Sequence, residues 1–539
     1  MLATCFVFAD NENYDGQDVS GKTFYGSCKN SSWIGATAVD TWFQADLTNA
    51  NLTNANLNKA RFSGTKINVT DAIFTNANLS GANSYEVEGL TDSQLRSAAD
   101  ITGIQLSQID LTNFNLSGLD FSGGNFHWST LSNVDFTNAI LDRVMFYGLK
   151  GLCDKQLRSA KSLVGLNIQS MDISEFDLSG LNFSSGGIVN STSLNSNFTE
   201  TDLTSVSFYG STLNGSNFNG ANLTSVTLRK CSLVNTNLTN ANLTGATFTT
   251  ETDISGATIN GADLTSTVEN GFTFAHLEST KSYADKNLSG VIFDYNNIGG
   301  WNLSGLNLQN TSFFASKIAG TNFSNSDLRG ADISVTKGTA TYKNTIMSDG
   351  VIKNFSMASA DESLSIRKYT PADGGENISA KIAEDAMISG GAVLSLERGA
   401  DLIVTNAKTL TVASDGAIAI DTDLSGSTKF TVDHGAGLVF ENGAKLTINV
   451  MEDIVGGDAL EFTVLSWYDD SYIAGLDTIK PNQTLFLNVN GAAYAGDWTY
   501  EIKGNSLNIS INVPEPSTYA AILGAIALAF ALKRRCSRK

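Results

Sequence analysis

The sequence predicts an all-β chain: a solenoid over its first 340 residues, short helical insertions within it, and a second β-rich region behind. Three observations predict this. From residue 198 to residue 248 one large apolar side chain recurs at every fifth position without a slip: Phe198, Leu203, Phe208, Leu213, Phe218, Leu223, Leu228, Leu233, Leu238, Leu243 and Phe248. The 539 residues include only four prolines, 49 glycines and no long helical pattern. Past Ile333 the five-residue period gives way to short alternating strands with glycine-containing turns.

A period of five fits neither regular structure. In a helix, five steps rotate each Leu by about 140° from the last, so no apolar stripe forms. On a strand, five is odd and successive Leu residues would alternate faces. All can point inward only if the chain turns a corner within each unit, which makes a coil with a continuous interior. Two places before each large residue stands a smaller one, as at Ser196, Thr201, Val206, Ala221 and Cys231. The unit thus reads small, polar, Leu or Phe, polar, polar.

Ala45-Asp46-Leu47, Ala50-Asn51-Leu52, Ala55-Asn56-Leu57 and Ala241-Asn242-Leu243 give the pattern A(D/N)Lxx. These residues resemble the pentapeptide-repeat family, and the resemblance covers more than half of the chain. It implies a right-handed, four-sided β-helix with one unit per side and about four units per coil. The repeat region is assigned to residues 15–340.

Four blocks carry the period. After a loosely periodic start (Val19, Phe24, Ile34, Val39), the first runs Leu47, Leu52, Leu57, Phe62, Ile67, then slips to Phe74 and Leu79. The second holds register from Leu106 to Phe146, the third from Ile168 to Leu264, and the fourth from Leu288 to Ile333. Together they supply enough inward centres for a rod on the order of 50 Å at ~4.8 Å per coil. Between blocks a longer motif returns. Thr91-Asp92-Ser93-Gln94-Leu95-Arg96-Ser97-Ala98 reappears as Cys153-Asp154-Lys155-Gln156-Leu157-Arg158-Ser159-Ala160, with a weaker echo at Leu277-Glu278-Ser279. Each of the first two reads as a capped helical turn with Leu facing in, and Arg96 and Arg158 are expected to bond nearby loop carbonyls or acids.

Residues 341–512 read as a second β-rich domain, either a looser parallel solenoid or a sandwich. Gly-Ala pairs recur before strands such as Val393-Leu394-Ser395-Leu396. Later strands, Trp498 to Ile502 turning into Leu507 to Ile511, favour antiparallel pairing.

The ends read as targeting signals. Residues 1–9 are apolar, and Val7-x-Ala9 has the spacing of a signal-peptidase site. They read as the remnant of a secretory signal whose basic and apolar parts are expected upstream of a start codon placed too late. At the C-terminus come Val513, Pro514, Glu515, Pro516 and Ser517, then the uncharged apolar stretch 518–532, then Lys533, Arg534 and Arg535. Two prolines break the preceding strand, the apolar stretch can enter a bilayer, and the basic cluster holds its end on the cytoplasmic side; being shorter than the ~20 residues of a comfortable span, the stretch by length alone fits a peripheral helix as well. Residues 513–539 resemble a PEP-CTERM sorting signal with a transmembrane helix. That resemblance implies export by a Gram-negative bacterium, processing by an exosortase, and residence in the envelope, at the surface or in the medium.

The formal net charge is −20, although the last seven residues alone contribute Lys533, Arg534, Arg535, Arg538 and Lys539. So acidic a body repels phosphate backbones, and nucleic-acid binding is not expected. Cys5, Cys28, Cys153, Cys231 and Cys536 form no CxxC pair, and His127, His276 and His434 are scattered, so neither metal nor other cofactor is expected. No catalytic set is present: no HExxH, no phosphate loop, no Ser/His/Asp spacing. Asp46, Asp202, Asp263 and Asp332 interchange with Asn in neighbouring units, which reads as outward corner chemistry. The expected function is a non-enzymatic, exported structural or display protein with exosortase, the secretion machinery and an extracellular polysaccharide as partners. The alternatives are a DNA-mimicking gyrase inhibitor, as some pentapeptide-repeat proteins are, and a glycan-binding adhesin.

Overall fold

A computed structural model describes residues 5–8, 10–64, 67–423, 427–451, 460–469, 471–475, 485–489, 492–494, 498–503 and 505–511. The chain forms two compact units, Met1–Asp285 and Lys286–Lys539. The last five-residue repeats therefore share a unit with the longer strands that follow them.

In the first unit one corner explains the coil. The Leu203 carbonyl accepts the Val206 amide at 2.9 Å, and Ser205 between them has φ 58°. A four-residue turn with a left-handed third position redirects the chain there, as in a type II turn. Asp202 closes the corner by accepting the Thr204 amide at 3.1 Å, and Asn222 does the same for Thr224 at 3.2 Å. The left-handed place recurs at Gly210, Gly215, Gly220, Ser225, Lys230, Asn235 and Asn240.

Four successive parallel bridges, Thr192 with Thr212, Asn197 with Asn217, Asp202 with Asn222 and Ser207 with Thr227, fix four sides per coil. The rings of Phe198 and Phe218, one coil apart, stack at 4.7 Å, while Phe208 meets both edge-on. The large residues from Phe198 through Phe248 are 0 to 4% exposed. Each such side chain contributes about 1.5–3 kcal/mol before entropy is subtracted. Polar residues in the small place are satisfied by backbone: the Thr201 hydroxyl donates to Leu178 O at 2.9 Å and Ser211 to Ile188 O at 2.7 Å.

One side of these coils is a ten-stranded parallel sheet: β1 Cys5–Phe8, β2 Thr23–Ser27, β3 Trp42–Asp46, β4 Arg61–Phe62, β5 Asn83–Tyr85, β6 Gln105–Ser107, β7 Asn125–His127, β8 Met145–Tyr147, β9 Asn167–Gln169 and β10 Gly187–Val189. Two stretches depart from the register read in the sequence. Asn13 bridges Ser32, so the first coil is one residue short of twenty. The inward places then fall on Trp33 and Ala38, both 0% exposed, while Ile34 stands at an exposed corner and Val39 is half-buried. In the next stretch Asn51 bridges Ile73, two residues beyond the regular spacing. Val69 takes the central place there, and Ile67 fills the small one. A third place was hidden because its occupant is polar: Ser193 is central and buried, and its hydroxyl has no partner.

The longer motif forms helices. α1 (Asp92–Ser97), α2 (Asp154–Ser159), α3 (Phe274–Ser279) and α4 (Lys281–Ala284) interrupt the sides of the first unit. Asn78 bridges Asp100 and Ile140 bridges Ser162, so α1 and α2 each add two residues to a coil. Leu95, Leu157 and Leu277 point inward at 0 to 1% exposure.

In the second unit the five-residue coil continues, with Asn287 bridging Asn307 and Asn302 bridging Asn322. Its large residues from Leu288 to Leu328 are 0 to 3% exposed, and Ile333 is half-buried. Farther on, three parallel sheets are visited in rotation. Ser363–Ile366, Ala380–Ile382 and Ala386–Ile388 form one coil, and Val393–Leu396, Asp401–Val404 and Thr409–Val412 stack on them strand for strand. Over the described part of residues 341–512 this is the solenoid option, not the sandwich. Inward Leu394, Leu396, Leu402 and Val404 are fully buried. Antiparallel pairing closes the end: Trp498–Ile502 pairs with Ser506–Ile511, which pairs with Leu460–Trp467.

Val513–Ser517, the apolar stretch 518–532 and Lys533, Arg534 and Arg535 lie outside the described residues, as do residues 1–4 and 9. Among the described residues no helix is long and apolar enough to cross a membrane.

Candidate functional surface

Among the described residues the repeats present aligned surface columns. The second place of each unit lines up between coils: Asn222 Nδ2 donates to Asp202 Oδ1 at 3.3 Å, and Asn237 Nδ2 to Asn217 Oδ1 at 2.9 Å. Asp263 and Asp332 accept the amides of Thr265 and Ser334, so they close corners as Asp202 does. The hydroxyls of Thr112 and Ser174 hold the Asp110 and Asp172 carboxyls below the usual carboxylate range. At Asp46 burial pushes the carboxyl up, but bonds from Thr48 and Lys29 outweigh it and hold it low. Groups kept ionised in this way display charge; they are not poised to carry protons.

The helical motifs bind the coil to itself. Gln94 Nε2 donates to the carbonyls of Val69 and Ala72 at 2.7 and 2.9 Å while its Oε1 accepts the Thr91 amide. Gln156 repeats the arrangement with Leu131, Val134 and Cys153. Arg96 and Arg158 donate to Ser117 O at 2.7 Å and Ser179 O at 2.9 Å, and Arg158 also pairs with Asp177 at 3.6 Å. In α3 the Gln is replaced by His276. Its Nδ1 accepts the Thr273 amide at 3.0 Å and its Nε2 faces Thr249 O at 3.1 Å. Both nitrogens are used structurally, and burial lowers the pKa of the ring.

His127 lies on the outer face of β7, far along the chain from His276 and His434. Among the described residues no group of His, Cys, Asp and Glu could hold a metal ion. Cys28 and Cys231 are buried, and burial raises their thiols to about 12 and about 11, the signature of inert thiols. Cys153, which caps α2, is exposed.

The sequence did not disclose a buried ion pair in the second unit. Arg329 and Asp327 are both 0% exposed, joined at 2.7 and 3.0 Å. Gln309 donates to the same carboxylate at 2.8 Å, and Arg329 Nη1 donates to Ile378 O at 3.0 Å. Tyr369 lies 5.4 Å from the guanidinium and bonds Asn310 at 3.1 Å. The segment from Arg367 to Ile378 is thereby strapped against the last repeats. Nothing local marks Arg329, since its place in the unit is mostly half-buried or exposed, as at Thr224, Arg229 and Phe314.

The model of the family described as pentapeptide repeats matches eight copies, over residues 44–83, 99–147, 194–220, 221–249 and 307–334. The chain belongs to the pentapeptide-repeat family. Among solved structures, this pentapeptide-repeat chain is similar to a pentapeptide repeat protein from the thylakoid lumen of Arabidopsis thaliana, with 33% identity over 18% of this chain and 67% of that one, TM-score 0.18. It is similar to a pentapeptide repeat protein involved in heterocyst differentiation regulation in Nostoc, at 21% identity over 47% and 92%, TM-score 0.17. A plasmid-mediated fluoroquinolone resistance protein matches at 15% identity over 54% and 90%, TM-score 0.12. With scores this low the likeness is one of repeat, not of whole-chain superposition. No curated protein matches.

Proposed function

We propose that this pentapeptide-repeat protein is a non-enzymatic, exported component of the cell surface or extracellular matrix: an acidic solenoid for structure or display, sorted by an exosortase through its tail. The observation that carries this reading is the order Val513-Pro514-Glu515-Pro516-Ser517, an uncharged apolar stretch at 518–532, then Lys533-Arg534-Arg535. Motif, span and basic end occurring in sequence at a terminus match a membrane-sorting device. The corner carboxylates held in their ionised form supply the surface that such a protein would present. Fractionation of the producing cells, with intact-mass analysis of the protein, tests it. The expected result is envelope or medium localisation and, after processing, loss of mass from the tail. Full-length protein confined to cytosol would end it.

A second reading, DNA mimicry of the gyrase-inhibitor kind, draws only on the net charge of −20. Lys and Arg are interspersed through the repeats, 18 against 28 acids in residues 13–340, which spoils the continuous negative potential a mimic needs. Supercoiling by gyrase unaffected at micromolar protein would remove it.

A further inference from the structure

One strip of the first unit departs from its surroundings. In strands β5 to β9 the middle residue faces the core and the flanking residues lie on the outer side, all exposed or half-buried except Ser107, which is covered, and in a chain of net charge −20 none of those ten flanking residues is charged. Asn83, Gln105, Asn125 and Asn167 form one column of the strip, with Met145 between the last two. Parallel pairing stacks these residues directly, Asn83 on Gln105, Gln105 on Asn125 and so on. Neighbouring coils place such groups ~4.8 Å apart. Asn125 Oδ1 lacks any hydrogen-bond partner.

The other column carries rings. Tyr85 is exposed, and His127 and Tyr147 pair at 5.3 Å. Trp128 stands at the corner beside them, 54% exposed and 5.4 Å from Tyr147. Its φ of 51° is costly for so bulky a residue, and the corner one coil on is Gly148. A Cβ at Gly148 would come within 2.6 Å of the indole, so only glycine there leaves the Trp128 ring room to lie along the rod. Burial lowers the His127 pKa and keeps its ring neutral. Charges border the strip at Arg61, which stacks on Asn83 one coil back, and at the corner residues Glu86 and Arg143.

We infer that this strip binds an uncharged polysaccharide chain laid along the coils, its sugar rings packing on Trp128 and Tyr147 and its hydroxyls bonding the amide column. Aromatic faces accept the C–H side of a sugar ring, and amides can both donate to and accept from hydroxyls. A neutral strip on an acidic body selects a neutral polymer: a polyanion would be repelled by the surrounding carboxylates, and a polycation would find no anionic partner within the strip. This gives the partner class for the display role proposed above and rests on it only for the meeting with ligand.

The test uses the purified full-length chain in mild detergent, run on native gels containing hydroxyethylcellulose, galactomannan or alginate. Retardation by at least one neutral polymer and none by alginate is expected. The double variant Trp128→Asn, Tyr147→Ala should weaken retardation by about tenfold or more with its melting unchanged. Asn suits the left-handed corner, as Asn190 shows three coils further along the same column. No retardation by either neutral polymer, retardation undiminished in the variant, or stronger retardation by alginate would each overturn the inference. So would a variant that changes only the self-association of the protein. Because binding is read on purified protein, its failure leaves the sorting proposal standing, and a cytosolic location would leave the binding result standing.

Discussion

His276 shows how one structural role can be filled by two residue types. A backbone N–H can only donate, so the His276 Nδ1 that accepts Thr273 must be unprotonated, and the ring proton sits on Nε2 towards Thr249 O. Its pKa in the folded chain is lowered, burial being the main cause. The unfolded chain therefore takes up the proton first. Stability from this residue is whole above pH ~6.5 and is lost as pH falls from there towards the lowered folded value. His276→Gln places in α3 the side chain that α1 and α2 use. Melts at pH 7.5 and 5.0 should show the wild type losing more stability than the variant; equal losses would contradict the assigned role. The inward ladder has its own residue-scale test. Leu223→Ala should cost about 2–5 kcal/mol, and Leu223→Asp more, because its carboxylate would be buried without a partner. Urea melts that leave either variant unchanged would contradict an inward Leu223.

At the scale of elements, the strap in the second unit depends on Arg329. Removing one partner of a fully buried pair leaves an uncompensated charge, so Arg329→Ala should destabilise that unit by about 3–5 kcal/mol. The double variant Arg329→Met, Asp327→Leu should recover part of the loss, and denaturant unfolding of both reads the difference. The coil was legible because one rule, a bulky residue every five places, holds without interruption from Phe198 to Phe248. Legibility failed where a coil changed length next to paired apolar residues. Trp33 and Ile34 are adjacent, and only the missing residue in the first coil decides which turns inward. Ile67 and Val69 pose the same ambiguity two residues out of step. Ser193 was invisible because a hydroxyl at a core place carries no apolar signal. Arg329 was invisible because its partner strap comes from residues 367–378, far downstream, and the sequence does not mark that pairing. Trp128 and Tyr147 likewise look like ordinary surface residues until the coils bring their columns together.

For the molecule as a whole, acid excess runs through both the repeats and the strands that follow them: 28 acids to 18 bases in residues 13–340, and 23 to 11 in residues 341–512. A net charge of this size keeps such a surface soluble and repels polyanions. The proposed display at the cell surface can be read directly at the exposed thiol of Cys153. Cells producing the protein are treated intact with a membrane-impermeant maleimide, and modification is mapped by mass spectrometry with Cys153→Ser as control. Display at the surface predicts adducts on Cys153 before lysis and none on buried Cys28 or Cys231. Labelling of Cys153 only after the cells are broken would contradict it.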